Sequence, residues 1–199
     1  MERFDVLDEN GARTGEICTR EEAHSLGLWH GTAHVWIARP SAMLLLQKRS
    51  PAKDSYPGCW DISSAGHLDA GEEPLHGAER ELKEELGLSV PGFRLRPIGV
   101  LRSERITMPR GKRFVDREFA HIFLLETDSL PPLSLQREEV YEVRWFPAGQ
   151  CLRAAEENSP SFCLISEEVR LVCSVLKQIR LHKKNVWISA FAEIQTSVF

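Results

Sequence analysis

No C-x-x-C pair occurs anywhere in the 199 residues, and the five cysteines (Cys18, Cys59, Cys151, Cys163 and Cys173) are an odd number. That pattern argues against a disulfide framework and against a zinc site built on cysteine pairs, and it suits a reducing, cytoplasmic setting. Positive charge is not in excess: 25 Lys and Arg stand against 29 Asp and Glu, a net charge of −4. No general basic field therefore recruits nucleic acid. No apolar run reaches membrane-spanning length, and the opening MERFDVLDENG carries charge from its second residue, unlike a secretory leader. Internal repeats and low-complexity segments are also lacking. The expectation is a cytoplasmic protein without membrane or nucleic-acid partners.

What is present fits a globular domain with a small extension. Apolar residues make up 42% of the chain and charged residues 27%, and a domain of this size buries roughly 70% of its unfolded surface. Phe4–Leu7 alternates as a short strand should, and Asp8-Glu9-Asn10-Gly11 is a turn leading to a second strand near residues 14–18. His34 precedes the buried-strand run Val35–Ala38 and reads as a satisfied strand residue. Met43–Gln47 is a further strand, ending at Lys48-Arg49, two cations that either meet a diphosphate or cap a surface strand end. Trp60–Ala65, Phe93–Arg105, Val115–Glu126 and Val140–Phe146 read as strands, with a hairpin loop at residues 108–112. Arg102, Arg105, Arg110, Lys112, Arg113 and Arg117 make that hairpin basic, as a phosphate contact or as an ordinary solvated surface. Asp116 and Glu118, two apart on a strand, face the same side.

Helices are expected at residues 148–157 and 166–182. The second carries Val169, Val172, Leu176 and Ile179 at helical spacing, a stripe for core packing or for a partner such as a second copy of the chain. Residues 183–199 show no role and read as disorder. Strands on either side of one embedded helix, with another helix at the end, imply an α+β or α/β/α sandwich.

The embedded helix carries the chemistry. From Pro74 to Leu86 the residues are mostly good helix formers, and Gly87 stands where a helix stops. Glu81, Glu84 and Glu85 fall at i, i+3 and i+4 on one stripe, where like charges cost a few tenths of a kcal/mol per pair. Clustered hard oxygen ligands on a rigid helix are what Mg²⁺ or Mn²⁺ needs. A solvated acidic face is the alternative, and the wider spacing decides. Gly66, five residues, Glu72, seven residues and then Arg80-Glu81-Leu82-Lys83-Glu84-Glu85-Leu86-Gly87-Leu88 match the Nudix box, GX5EX7REUXEEXGU with U aliphatic, at every defined position. A chance match is roughly one in 10⁹ per starting position.

The chain thus resembles a Nudix hydrolase. The resemblance implies a mixed sheet between helices over about residues 30–150, and the chain reads as a domain over residues 1–160 that includes the N-terminal hairpin, with a C-terminal helix and tail over 161–199. It also implies metal-dependent hydrolysis of a small-molecule diphosphate. By position in the box, Glu81 and Glu85 are implied metal ligands and Glu84 a further ligand or the general base. Gly66 is implied to add its carbonyl, and Arg80 to pair with Glu72. Lys48, Arg49 and Trp60 are the candidate substrate contacts.

Outside the box, Glu22-Ala23-His24, Leu28-Trp29-His30 and the run Tyr56 to His67 resemble isopentenyl-diphosphate isomerase, which shares the fold. That resemblance implies a second metal site from His24, His30, His67, Asp116 and Glu118. The isomerase needs a cysteine immediately before the box glycine, however, and here Ala65 stands there. Alanine cannot move a proton. Cys59, six residues earlier on a turn, reads as an ordinary small residue. The isomerase-like group of Nudix hydrolases, which shares Val35-Trp36-Ile37 and Leu135–Val140, is the closer resemblance. It implies either a prenyl diphosphate or a nucleoside diphosphate as substrate.

Glu85→Gln removes one charge at constant volume. It is expected to abolish most turnover while circular dichroism stays native, and near-normal activity across a metal titration would refute the assignment.

Overall fold

In the computed structural model, residues 2–53, 55–108, 111 and 113–196 are described, the side chains of 93 and 183–196 excepted. The hairpin forms from β1 (Arg3–Leu7) and β2 (Arg13–Thr19), paired antiparallel. A helix absent from the sequence reading, α1 (Arg20–Leu26), follows at once. A capping box explains it: the Glu22 N–H donates to Thr19 Oγ1 at 3.3 Å and the Thr19 N–H to Glu22 Oε2 at 2.8 Å.

The other seven strands make one mixed sheet. They are β3 (His30–Arg39), β4 (Met43–Arg49), β5 (Trp60–Asp61), β6 (Ser64–His67), β7 (Arg96–Thr107), β8 (Phe114–Glu126) and β9 (Val140–Pro147). The order is β5-β4-β3-β8-β7, with β6 on β3 and β9 on β4; β3 and β8 run parallel. The helix α2 (Pro74–Leu86) covers one face, while α3 (Ala148–Glu156) and α4 (Ser166–Thr196) cover the other. This is the expected α+β sandwich.

Alternation along β3 sorts the core into two layers. Val35 and Ile37 pack with Ala78, Leu82 and Leu86 of α2, whereas Trp36 and Ala38 pack with Val169, Val172 and Leu176 of α4. The stripe on α4 is therefore core packing. That helix also runs past residue 182, through part of the stretch read as disorder, to Thr196. Residues 109, 110 and 112 of the expected basic loop lie outside the described residues, although β7 and β8 pair as a hairpin around them. No helix among the described residues is long and apolar enough to cross a membrane.

The expected strand at 60–65 is in fact two strands, and the reason positions the site. After three pairs, Ile37↔Leu45 to Arg39↔Met43, β3 and β4 diverge. The segment 60–67 fills the gap, pairing with β4 through Trp60-Asp61 and with β3 through Ser64–His67. At the crossover Ser63 Oγ donates to the Leu45 carbonyl at 2.6 Å and accepts from the Ile37 N–H at 2.7 Å. One hydroxyl satisfies both strands where their ladder opens.

Leu82, fully buried between α2 and the sheet, reports on this layer. Leu82→Ala is expected to cost about 2–5 kcal/mol in chemical denaturation, and a loss under about 1 kcal/mol would mean that α2 does not seat on the sheet as described.

Candidate functional site

A cleft of about 690 Å³ opens where β3 and β4 part, lined from both faces of that gap, from α1, α2, β5 to β8 and the start of α4, and from loop residues that include Lys53, Tyr56, Gln136 and Glu139. On α2, Pro74 opens the helix and Gly87 closes it at φ 66°, its N–H bonded to the Lys83 carbonyl at 3.1 Å. The helix thereby carries Glu81, Glu84 and Glu85 to the cleft wall.

Glu85 is buried, and its Oε2 accepts from the Ala65 N–H at 3.2 Å and from Gln47 Nε2 at 3.2 Å. Burial, helped by the charge of Glu81, pushes its pKa up to about 8. Burial also raises the Glu81 carboxyl above its usual range, against the pull of Arg80. Arg80 Nε and Nη2 clamp the two Glu72 oxygens at 3.0 and 2.9 Å, and Nη2 also reaches the His67 carbonyl at 2.8 Å. Its Nη1 touches Glu81 at 2.6 Å and Glu84 at 3.2 Å. A Cβ on Gly66 would stand 2.0 Å from Glu81 Cδ, so only glycine leaves room for that carboxylate.

At the other end, His24 on α1, His30 on β3, His67 on β6 and Asp116 on β8 place one ligand atom each within 4.8 Å of one another. The hairpin helps to enclose them, Phe4 stacking on His67 at 4.6 Å and on His30 at 5.2 Å. His24 Nδ1 lies 2.7 Å from the Arg20 carbonyl and His30 Nδ1 lies 2.9 Å from that of Leu28. A carbonyl only accepts, so each Nδ1 carries a proton, and the Nε2 of each ring is left for the cluster. The Nε2 atoms of His24, His30 and His67 and Asp116 Oδ1 are buried without a hydrogen-bond partner. Burial drives His30 down to about 4 and His67 well below its ordinary value, so both are neutral at pH 7. Three imidazole nitrogens and a carboxylate oxygen, none with a hydrogen-bond partner, fit a divalent cation. Glu118, two residues along β8 from Asp116, lines the same cleft outside that group of four, and burial with the charge of Asp116 raises it to about 8.

Of the three candidate substrate contacts, the cleft takes Arg49 and leaves Lys48 and Trp60 out of its lining. Alternation along β4 separates the two cations: Lys48 points away and sits over the Trp60 and Tyr141 rings at 5.7 and 5.9 Å. Trp60 is buried in the core against Phe146. Arg49 Nη1 pairs with Asp61 Oδ2 at 3.0 Å. The sequence reading missed Asp61 and left Arg105 undecided within the basic hairpin, yet both line the cleft. It read His34 as a satisfied strand residue without finding Glu168, its partner in the cleft. Cys59 donates its thiol to the Pro160 carbonyl at 3.4 Å, away from Ala65.

A family model described as NUDIX domain matches residues 28–164. Nudix hydrolase 3 of Arabidopsis thaliana is 40% identical over 165 residues, 81% of this chain and 21% of that protein. A Nudix hydrolase of Clostridium acetobutylicum is 39% identical over 143 residues, 70% of this chain and 66% of its own. This chain thus spans about a fifth of the first relative and about two thirds of the second. An isopentenyl-diphosphate Delta-isomerase of Pectobacterium atrosepticum is 32% identical over 137 residues, covering 69% of this chain and 73% of that one. Among solved structures, the Deinococcus radiodurans protein DR0079 superposes with a TM-score of 0.65 at 19% identity over 85% of this chain and 98% of that one, a likeness of fold.

Gly66→Ala forces the Glu81 carboxylate to move. It is expected to keep native circular dichroism while Mg²⁺-dependent turnover falls about tenfold or more, some 1.4 kcal/mol of barrier. Unchanged turnover would show that Glu81 need not lie on the Gly66 backbone.

Proposed function

Because the chain belongs to the Nudix family, whose domain spans residues 28–164, we propose that it is a divalent-cation-dependent pyrophosphohydrolase cleaving a diphosphate linkage in a small molecule. One observation carries the reading. The acids of α2 and three members of the histidine cluster, His24, His67 and Asp116, line a single cleft of about 690 Å³, with His30 buried behind them, room enough for a small phosphorylated ligand. All five cysteines are free, which suits a cytoplasmic enzyme.

Glu81, Glu85 and the Gly66 carbonyl would hold Mg²⁺ or Mn²⁺, since buried, mutually repelling carboxyls are what a cation stabilises in ionised form. His24, His30, His67 and Asp116 would hold a second ion, with Glu118 beside them. Divalent cations held there would supply Lewis acidity toward the phosphoryl oxygens and toward the attacking water. Glu84, the most exposed of the three glutamates with half its side-chain surface open at 53%, is placed to take the proton of the attacking water. Arg80, fixed by both oxygens of Glu72, keeps the loop at Gly66 and the helix in one geometry. Arg49 and Arg105 meet the negative charge of the substrate. Attack of water breaks one P–O bond, and the two fragments share its oxygen and protons.

The substrate is a nucleoside diphosphate derivative or a prenyl diphosphate. The isomerase named among the relatives supplies the competing reading. Ala65, whose N–H is committed to Glu85, has no group to move a proton at carbon, which disfavours it.

A panel of nucleoside diphosphates, nucleotide sugars, dinucleotides and prenyl diphosphates, assayed with Mg²⁺ and with Mn²⁺ at mildly alkaline pH in ¹⁸O-water, is expected to yield products that carry one heavy oxygen. Conversion of a prenyl diphosphate at unchanged mass would establish isomerisation instead.

A further inference from the structure

Among the ionisable side chains that line the cleft outside both the box and the histidine cluster, His34 has had no part so far. His34 stands on β3 on the same face as His30, Thr32 and Trp36, and lines the cleft together with Glu118 and Glu168. Its Nδ1 lies 3.1 Å from each oxygen of Glu168, on the first turn of α4. The Glu168 carboxylate also accepts from Trp36 Nε1 at 2.7 Å. A carboxylate so engaged only accepts, so His34 Nδ1 carries a proton.

The depth order gives the arrangement its direction. Glu168 is 1% exposed and His34 is 8% exposed, and both line the cleft, so the ring is the more open member of the pair. Its Nε2 has Thr32 Oγ1 at 3.4 Å, a long and weak contact that leaves the nitrogen available. Burial lowers the His34 pKa, but the charge and hydrogen bond of Glu168 outweigh it and, with lesser help from neighbouring acids, raise it to about 9. The ring is an imidazolium at neutral pH. As mere packing of a helix on a sheet, a buried ion pair gains little over apolar residues of the same volume. As a means of presenting a fixed N–H⁺ to a cleft, it gains direction and charge at once.

We propose that His34 is a substrate-contacting residue, donating from Nε2 to an anionic oxygen of the bound diphosphate, and that Glu168 is the positioning residue that holds its ring. The inference rests on the diphosphate reading of the cleft and adds to it a third basic contact beside Arg49 and Arg105. It also gives α4 a part in recognition, because Glu168 is the residue through which that helix reaches the cleft floor.

The probe is methylenediphosphonate, a non-hydrolysable diphosphate, titrated calorimetrically with excess Mg²⁺ into the full chain. The unaltered protein is expected to bind it. His34→Asn keeps an amide donor toward Glu168 and deletes the cleft-facing nitrogen, and is expected to weaken binding about tenfold. His34→Gln, whose amide reaches the place of Nε2, is expected to recover part of that loss. Glu168→Gln is expected to weaken binding severalfold alone and to add nothing in the His34→Asn background, because it acts through the ring. Binding by folded His34→Asn within twofold of the unaltered protein, or His34→Gln as weak as His34→Asn, would overturn the contact. Additive losses in the double variant would reduce Glu168 to a structural role. Failure of the unaltered protein to bind would instead overturn the diphosphate reading beneath it.

Discussion

The structure depends on the parting of β3 and β4 after three residue pairs. Two strands that separate inside a sheet leave backbone donors and acceptors without partners, and buried groups in that state are costly. The segment 60–67 meets the demand by pairing first with one strand and then with the other, and Ser63 closes the crossover with bonds to both. Everything near the cleft follows from that wedge. It places Gly66 under Glu81, gives the Ala65 N–H to Glu85, and brings His67 from the loop end of β6 to His24 and His30.

The second constraint is electrostatic. The cleft gathers carboxyls that burial and mutual repulsion push toward the protonated form, Glu85 and Glu118 both to about 8. It also holds histidines that burial keeps neutral. Around them stand cations already committed to acids: Arg80 to Glu72, Arg49 to Asp61, and His34 to Glu168. Each of these groups lines the cleft with a carboxylate beside it, an arrangement suited to the polyanionic substrate proposed above.

The helix α2 was legible in the sequence because its signals are local. Pro74, the run of helix formers and Gly87 set its ends at the residues the structure gives, Pro74–Leu86, and the spacing from Gly66 to Leu88 identified the family. The sandwich followed from the alternation of strands and helices. What the sequence hid is tertiary. The break at Ser63 depends on two strands far along the chain. Lys48 and Arg49 look alike as neighbours until the register of β4 sends them to opposite faces, and Trp60 carries no mark that distinguishes a core side chain from a substrate contact. His34 and Glu168 lie 134 residues apart, and no periodicity links them. The helix α1 was legible in principle, since Thr19 and Glu22 form a capping box, and was passed over because only seven residues follow the cap.

In the mechanism proposed above, α2 offers its glutamates to a metal ion across the cleft from the histidine cluster. Anomalous diffraction from crystals soaked in manganese tests it most directly. The account predicts one peak beside Glu81, Glu85 and the Gly66 carbonyl, and another among His24, His30, His67 and Asp116. A map without density beside the glutamates, with Arg80 still bridging Glu81 and Glu84, would contradict it.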